Sequence, residues 1–112
     1  MKLAVTVWGN RISPVLDSAK TILIAEVRES RIVDQSFNEF DFNHPLRGLA
    51  MLENDQVDVL ICGAVTKQEI RTIEKCGIMP VPFITGSVQK VLDAYLAEKN
   101  RLSDFLMPGA SR

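Results

Sequence analysis

Hydrophobic residues fall in short runs that alternate with polar stretches. The runs at residues 3–7, 21–27 and 58–62 are continuous and rich in β-branched side chains, which is typical of buried strands. Residues 32–37 form a more polar run after the turn sequence RESR and predict a strand at the sheet edge. Residues 78–84 contain two prolines, which favour another edge strand or an irregular one.

Three other segments predict helices. The first is expected over residues 45–54. The second has Thr66 with Glu69 three positions later, a capping box, and Gly77 ends it. The third starts after Ser87, a suitable cap. Its apolar residues recur at i, i+3, i+4, i+7 and i+8, namely Val88, Val91, Leu92, Tyr95 and Leu96.

The resulting order is β-β-β-α-β-α-β-α. Short links between the early strands predict antiparallel pairing, and helices between the later strands predict parallel pairing. The pattern therefore predicts an α/β domain with a mixed five-stranded sheet and helices on its faces. Phe105, Leu106 and Met107 in the tail are expected to pack back on the body.

Composition narrows the functional classes. The chain has 112 residues and a net charge of -1, so it has no basic surplus to bind nucleic acid. No apolar run approaches the length of a membrane span, and the N-terminus is expected to be a strand and not a signal peptide. The two cysteines are then expected to be free thiols in a reducing cytoplasm.

Ligands of open α/β sheets collect at the carboxyl ends of the parallel strands. Here those ends are residues 8–10, 62–64 and 85–86, so the loops with unusual chemistry are expected on one rim. Trp8 is expected either to line a pocket there or to belong to the core edge. The long loop after Trp8 is expected to form one wall of the pocket, with Pro14 stiffening it.

Two side chains are candidate metal ligands. Cys62 ends the central strand, where a thiolate suits an iron–sulfur species, but a buried packing role is the alternative. His44 precedes a helix and offers an imidazole, with a solvated or capping role as the alternative. Cys76 lies away from the rim and is expected to pack. Since the chain has no Cys-x-x-Cys pair, an independent zinc site is not expected.

Two helix starts are candidate anion-binding sites because they present backbone N–H groups and positive dipole ends. An ordinary turn with a cap is the alternative for both. In the opening loop, an arginine suits a carboxylate or phosphate, with a solvated surface role as its alternative. The candidate cofactor-binding residues are Asn10, Arg11, Ser13, Gly63, Ala64, Thr66, Thr85, Gly86 and Ser87.

The order of several segments adds a family resemblance. After the opening strand come RISPVLDSAK running into TILIAEV, then RGLAMLENDQVDVLICGAV, then AYLAEK. This series resembles the dinitrogenase iron–molybdenum cofactor biosynthesis family, which includes small carriers of the nitrogenase cofactor and its precursor. The resemblance covers residues 1–98 and leaves residues 99–112 as a C-terminal tail.

The resemblance implies a ribonuclease-H-like fold with helices on both faces of the sheet. It further implies a non-enzymatic carrier for an iron–sulfur or iron–molybdenum cluster or its precursor, active in nitrogen-fixation chemistry. Cluster-biosynthesis or acceptor proteins would be its partners. Catalysis is not expected, since the first strand has no carboxylate for a nuclease metal site and a Cys62 nucleophile would need His44 from another loop.

The chain differs from the family pattern at positions where other members carry candidate metal ligands. Family members commonly carry a His-Phe pair where this chain has Val15 and Leu16, and a related subgroup ends in a cysteine where this chain has Ala110. The alternative function is therefore a protein-interaction or regulatory domain that no longer binds metal. That alternative predicts a homodimer or a stable partner, with the edge strand at residues 32–37 available for pairing.

Overall fold

The computed structural model describes residues 1–97 and 99–109. Within them, the predicted strands and α-helices occur in the predicted order, with one further short strand after the first. The strands are β1 (Lys2–Trp8), β2 (Arg11–Ile12), β3 (Thr21–Arg28), β4 (Arg31–Glu39), β5 (Val59–Ile61) and β6 (Met79–Val81). The α-helices are α1 (Leu49–Asn54), α2 (Lys67–Lys75) and α3 (Val88–Ala97), and Leu16–Ser18 and Lys99–Phe105 form 3-10 helices.

The strands form one mixed sheet in the order β4-β3-β1-β5-β6. The pairs β1–β3 and β3–β4 are antiparallel, and β1–β5 and β5–β6 are parallel, as the link lengths predict. The expected number of five strands is wrong, because the short β2 pairs with β1 and makes the described sheet six-stranded. Gly9, with a φ of 65°, makes the tight turn between β1 and β2 that a residue with a Cβ would strain.

The alternation of side chains along β1 divides the core into two apolar clusters. Leu3 and Val5 belong to a cluster that also contains Leu92 of α3. Ala4 belongs to a second cluster with Leu52 of α1, and Ile73 of α2 is in that cluster too. Successive strand residues point to opposite faces, so each cluster takes every second residue of the central strand.

The helix expected over residues 45–54 begins only at Leu49. The preceding residues form a turn instead, because the Nδ1 atom of His44 accepts hydrogen bonds from the backbone N–H groups of Leu46 and Arg47 at 3.0 and 3.2 Å. Gly48 is tightly enclosed, since a Cβ there would lie 2.5 Å from the backbone oxygen of Phe42. These local bonds compete with the helical pattern and delay the start of α1.

The predicted capping box of α2 is confirmed. Thr66 Oγ1 accepts a hydrogen bond from the Glu69 N–H at 3.0 Å, and Glu69 Oε1 accepts one from the Thr66 N–H at 2.8 Å. Cys76 follows the last turn, and Gly77 has a φ of 77°. Both ends of α2 are therefore set by residues next to it in the sequence.

The C-terminal segment is hydrogen-bonded to the loop after β6. The Thr85 N–H donates to the Phe105 oxygen at 2.7 Å, and the Met107 N–H donates to the Phe83 oxygen at 2.8 Å. Ala110, where the related subgroup has a cysteine, lies outside the described residues.

In the described part of the chain, no helix combines the length and apolar character needed to cross a membrane.

Candidate functional site

Residues 10–16 run across the carboxyl ends of β1, β5 and β6, and are called the crossing segment below. Its middle is fixed to β1 and to the loop after β5. The Ser13 N–H donates to the Thr6 oxygen at 3.0 Å, and the Ala64 N–H donates to the Pro14 oxygen at 2.8 Å. The Leu16 N–H in turn donates to the Ala64 oxygen at 3.0 Å. The loop therefore lies on the rim as an added layer of backbone.

The start of the crossing segment is fixed to the loop before α3. The Ile12 N–H donates to the Gly86 oxygen, and the Val88 N–H donates to the Asn10 oxygen, both at 2.9 Å. Arg11, an exposed residue, forms an isolated antiparallel bridge with Ser87. The structure thus brings the opening loop and the last helix start together, as the predicted rim requires.

Hydrogen bonds within the chain occupy backbone N–H groups that a bound anion would need at the two helix starts. The N–H of Ala64 is bonded to Pro14, the N–H of Thr66 to Glu69, and the N–H of Val88 to Asn10. At both helix starts, these donors are satisfied by the chain itself. A ligand of this rim therefore has to rely on side chains outside the crossing segment, or to displace that segment.

The thiol of Cys62 lies in the second apolar cluster, which also contains Leu16 of the crossing segment. Its side chain is 0% exposed. Burial, followed by the negative charge of Glu69, raises the pKa of the Cys62 thiol to about 12. Since the thiolate is the form that binds metals, Cys62 is held in its non-ligating form in this conformation.

His44 lies in a different environment at the surface. It is half-buried and lines a cavity of about 410 Å³ together with Lys20 and Arg47. With Nδ1 accepting two backbone hydrogen bonds, Nε2 is the ring nitrogen left to face a ligand. Cys62 is not among the residues lining this cavity, so the structure does not bring these two predicted ligands together. Across residues 1–97 and 99–109, no group of three or more His, Cys, Asp or Glu side chains could hold a metal ion.

A second cavity, of about 390 Å³, lies beside the crossing segment. Trp8, Ser13 and Lys20 contribute to its lining. Trp8 is 72% exposed, so its expected role at the edge of the core is wrong. Its side chain instead lines this cavity. Ser13 is only 3% exposed, and its Oγ is within 3.4 Å of the Val15 oxygen, so its hydroxyl contributes little to ligand binding.

Lys20 lines both cavities, and sequence reasoning missed it. A single exposed lysine before a strand carries no motif, and only the fold places Lys20 at one cavity with Trp8 and at another with His44. Arg47 was missed for the same reason and is tied by an ion pair of 2.8 Å to Glu39. Asp17, Glu39 and Asp41 line the His44 cavity as well, so this surface combines two cations with three carboxylates, an imidazole and an indole.

A pair of carboxyl groups lies at the start of α2. Asp17 and Glu69 both line a cavity of about 520 Å³. The pKa of Glu69 is raised above its usual value, first by burial, then by a hydrogen bond that its protonated form donates to Asp17, and by the negative charge of that residue. This pair makes the neighbouring end of α2 unfavourable for an anion.

Comparisons with known proteins agree with this architecture. A family model described as dinitrogenase iron-molybdenum cofactor matches residues 1–98. No curated protein sequence is significantly similar to the chain.

Several solved structures share the fold. A protein from Methanocaldococcus jannaschii described as a candidate dinitrogenase has a TM-score of 0.72 and 18% identity, over 87% of this chain and 88% of that one. A candidate NifB protein from Thermotoga has a TM-score of 0.68 and 18% identity, over 88% and 89%. The apo form of the orange protein from Desulfovibrio gigas has a TM-score of 0.65 and 15% identity, over 99% and 95%. At these identities the likeness concerns the fold.

Proposed function

Because the chain belongs to the dinitrogenase iron-molybdenum cofactor family, we propose that it is a non-enzymatic carrier for an iron–sulfur or iron–molybdenum cluster, or for a cluster precursor. The observation that carries this proposal is the family match over residues 1–98. The cluster is cargo in this account, received from a biosynthesis protein and passed to an acceptor protein. Fold neighbours described as a candidate dinitrogenase and a candidate NifB protein support the same assignment.

The two cavities that share Lys20 are the proposed cargo surface. Metal–sulfur clusters and their precursors are anionic, so the Lys20 ammonium group offers them an opposite charge. The flat face of Trp8 offers an apolar wall. Because the Nδ1 atom of His44 accepts hydrogen bonds, the neutral ring carries its proton on Nε2, which can donate a hydrogen bond to a cluster sulfide. Ligation of a metal by Nε2 would require this proton to leave. Arg11 and Asn10 of the crossing segment remain proposed contacts at the margin of this surface.

Cys62 takes part in this proposal only in an opened conformation. Its thiol is buried and its pKa is raised to about 12, so ligation requires the crossing segment to leave Ala64. A bound metal would then lower the thiol pKa. The proposed helix-start residues, from Gly63 to Thr66 and from Thr85 to Ser87, would become available to an anion at the same moment.

The non-enzymatic part of the proposal is supported by the separation of the reactive groups. A thiol nucleophile needs a base within hydrogen-bond reach. The cavity that His44 lines does not include Cys62, and the Nδ1 atom of His44 already accepts two backbone hydrogen bonds. Binding without turnover is the function that this arrangement suits.

Two finer assignments complete the proposal. We assign the sheet to the ribonuclease-H-like class with helices on both faces, which the two apolar clusters support, since α3 contributes to one and α1 and α2 to the other. We place the protein in the cytoplasm, which the two free cysteines, Cys62 and Cys76, support.

Trp8 provides a direct test because it is the single tryptophan and lines the proposed surface. Tetrathiomolybdate, a molybdenum–sulfur anion, is titrated into the protein without oxygen while tryptophan fluorescence is recorded. Saturable quenching is expected. Lys20→Ala should weaken binding at least about tenfold by removing the cation that lines the Trp8 cavity.

Lys90→Ala is the matched control, since Lys90 is exposed on α3 and lies outside both cavities. It should bind the probe as the wild type does. Absence of quenching in the wild type, together with absence of molybdenum in the protein after gel filtration, would contradict the proposed cargo surface.

The second candidate function is a protein-interaction or regulatory domain that carries no metal. The observation that favours it is the long exposed strand β4, which lies at the edge of the sheet. Loss of all probe binding combined with a stable protein complex would support this alternative over the carrier.

A further inference from the structure

The edge strand β4 has an unpaired side that suits a second strand. It lies at one end of the strand order and pairs with β3. Phe37 is 63% exposed and Val33 is 54% exposed, and both are on this strand. Natural edge strands are usually protected by prolines, bulges or charges. β4 contains no proline, and residues 35–38 carry no charge.

The direction of the free backbone groups follows from the pairing with β3. The Phe40 N–H donates inward to the Lys20 oxygen at 2.9 Å. N–H and C=O groups of an antiparallel strand alternate between its two sides. The backbone groups of Asn38 and Ser36 therefore also point to β3, and those of Gln35, Phe37 and Glu39 point outward.

A bulge limits the usable length. Glu26 is opposite Asp34, whereas Val27 is opposite Ile32, so Val33 is the extra residue. At this bulge the alternation of inward and outward backbone groups is interrupted. The outward groups before the bulge therefore do not continue the regular spacing that starts at Gln35. The regular outward ladder is therefore confined to residues 35–39.

This segment is complementary to itself in one antiparallel register. With Phe37 opposite Phe37 of a second copy, the outward groups of Gln35 meet those of Glu39 of the second copy, and each such pair exchanges two hydrogen bonds. The Gln35 amide then lies beside the Glu39 carboxylate, and Ser36 lies beside Asn38. No like charges are directly opposite within this segment, whereas a shift by one residue would put inward and outward groups opposite each other.

In this register the Phe37 side chains would also cover an apolar cavity. Phe37 and Gln35 line a cavity of about 310 Å³ together with Leu23, Val88 and Leu92. Two Phe37 rings opposite each other at the twofold axis would cover this cavity in both copies. Burial of exposed aromatic surface supplies the driving force that main-chain hydrogen bonds alone lack.

We propose that the chain forms a homodimer in which residues 35–39 of β4 pair antiparallel with the same residues of a second copy around Phe37. The two sheets become one continuous sheet across a twofold axis. This edge does not include Trp8, Lys20 or His44, so dimerisation leaves the two cavities that share Lys20 open in each copy, whereas it covers the cavity that Asn10 and Ser87 line.

Sedimentation equilibrium of the full chain tests this proposal. The wild type should approach twice the 12.5 kDa of one chain between about 1 µM and about 1 mM. Phe37→Lys puts like charges opposite each other and should raise the dimer dissociation constant at least about tenfold. Val33→Lys, outside the paired segment but on the same strand, should change it by less than about twofold. Circular dichroism confirms that both variants are folded.

A disulfide provides the second test, because directly opposite residues of a hydrogen-bonded pair are close enough to be bridged. In a Cys76→Ser background, Phe37→Cys should give a disulfide dimer on mild oxidation, and Val33→Cys should not. A wild type that stays monomeric to millimolar concentration would overturn the proposal, and a different protein bound at this edge would then be the alternative. Equal dimerisation by Phe37→Lys, or equal cross-linking at Val33, would also overturn it.

Discussion

The carbonyl oxygen of Pro14 lies so close to Gly63 that a Cβ at Gly63 would come within 2.3 Å of it. The same oxygen accepts the Ala64 N–H at 2.8 Å. The Pro14 oxygen is a backbone atom, so it cannot rotate away from an added Cβ as the end of a flexible side chain would. The absence of a side chain at Gly63 therefore allows the crossing segment to lie against the end of β5.

Gly63→Ala is expected to destabilise the protein by about 2–3 kcal/mol, because the added methyl group must push backbone out of place. Urea unfolding measures this change. Gly77→Ala is the control, because nothing lies within 4 Å of its added Cβ and only its φ of 77° is unfavourable. It should cost about 1 kcal/mol, and an equal loss in both variants would contradict the tight contact at Pro14.

Thr66→Ala removes the hydroxyl half of the α2 capping box and should destabilise the protein by about 1–2 kcal/mol. Thr72→Ala on the same helix is the matched control. Thr72 is exposed, and its hydroxyl donates to the Gln68 oxygen within the helix at 2.9 Å, so its removal should be nearly neutral. Thermal unfolding of both variants distinguishes a cap effect from a general loss of threonine.

Asp17 and Glu69 predict a pH dependence of stability. The pKa of Glu69 is raised above its usual 4.5, by burial first and by Asp17 next, so the folded protein binds this proton more tightly than the unfolded chain does. Its contribution is fully present below pH 4.5 and is lost as the pH rises through the folded pKa. Asp17→Asn should reduce this loss, and it should raise the free energy of unfolding at pH 7 by less than about 1 kcal/mol.

Urea unfolding of wild type and Asp17→Asn between about pH 4 and pH 7 measures this dependence. Asp104→Asn removes the same charge from an exposed position in the C-terminal 3-10 helix and serves as the control. A pH profile of Asp17→Asn identical to those of the wild type and the control would contradict the coupling between Asp17 and Glu69.

The two cysteines should differ in their reactivity. Cys62 is fully buried with its pKa raised to about 12, whereas Cys76 is half-buried, with a pKa raised by desolvation and by Glu53. Labelling of the native protein with Ellman's reagent should therefore modify Cys76 at least about 100-fold faster than Cys62. Cys76→Ser should remove the fast phase. A native Cys62 that reacts as fast as Cys76 would show that the crossing segment opens readily.

The fold could be predicted largely from patterns confined to short segments. The capping box of Thr66 and Glu69 needs only local contacts, and the direction of strand pairing follows from link lengths. The prolines at positions 80 and 82 correctly placed β6 at an edge. By contrast, the apolar spacing after Pro45 predicted a helix that in fact begins only at Leu49, because the Nδ1 atom of His44 binds the backbone of the residues before it. A hydrogen bond from a side chain to the backbone leaves no periodic signal in the sequence, so it could not be predicted.

The candidate site was less predictable because it depends on contacts between distant segments. The helix starts at residues 63–66 and 85–87 were expected to present free N–H groups. The Pro14 oxygen accepts a hydrogen bond from the Ala64 N–H, and the Asn10 oxygen accepts one from the N–H of Val88, the first residue of α3. No feature of the sequence specifies these partners. Lys20 likewise became a candidate only when the fold placed it between two cavities.

The most direct test of the carrier account is the iron, molybdenum and sulfide content of the protein purified strictly without oxygen. We expect metal and sulfide in a fixed ratio to the chain, reduced by Lys20→Ala and by His44→Ala. Full retention by Cys62→Ala would show that the opened conformation, with Cys62 as a ligand, does not hold the cargo. Protein free of iron, molybdenum and sulfide, and still free of them after incubation with tetrathiomolybdate or with ferrous iron and sulfide, would contradict the carrier account.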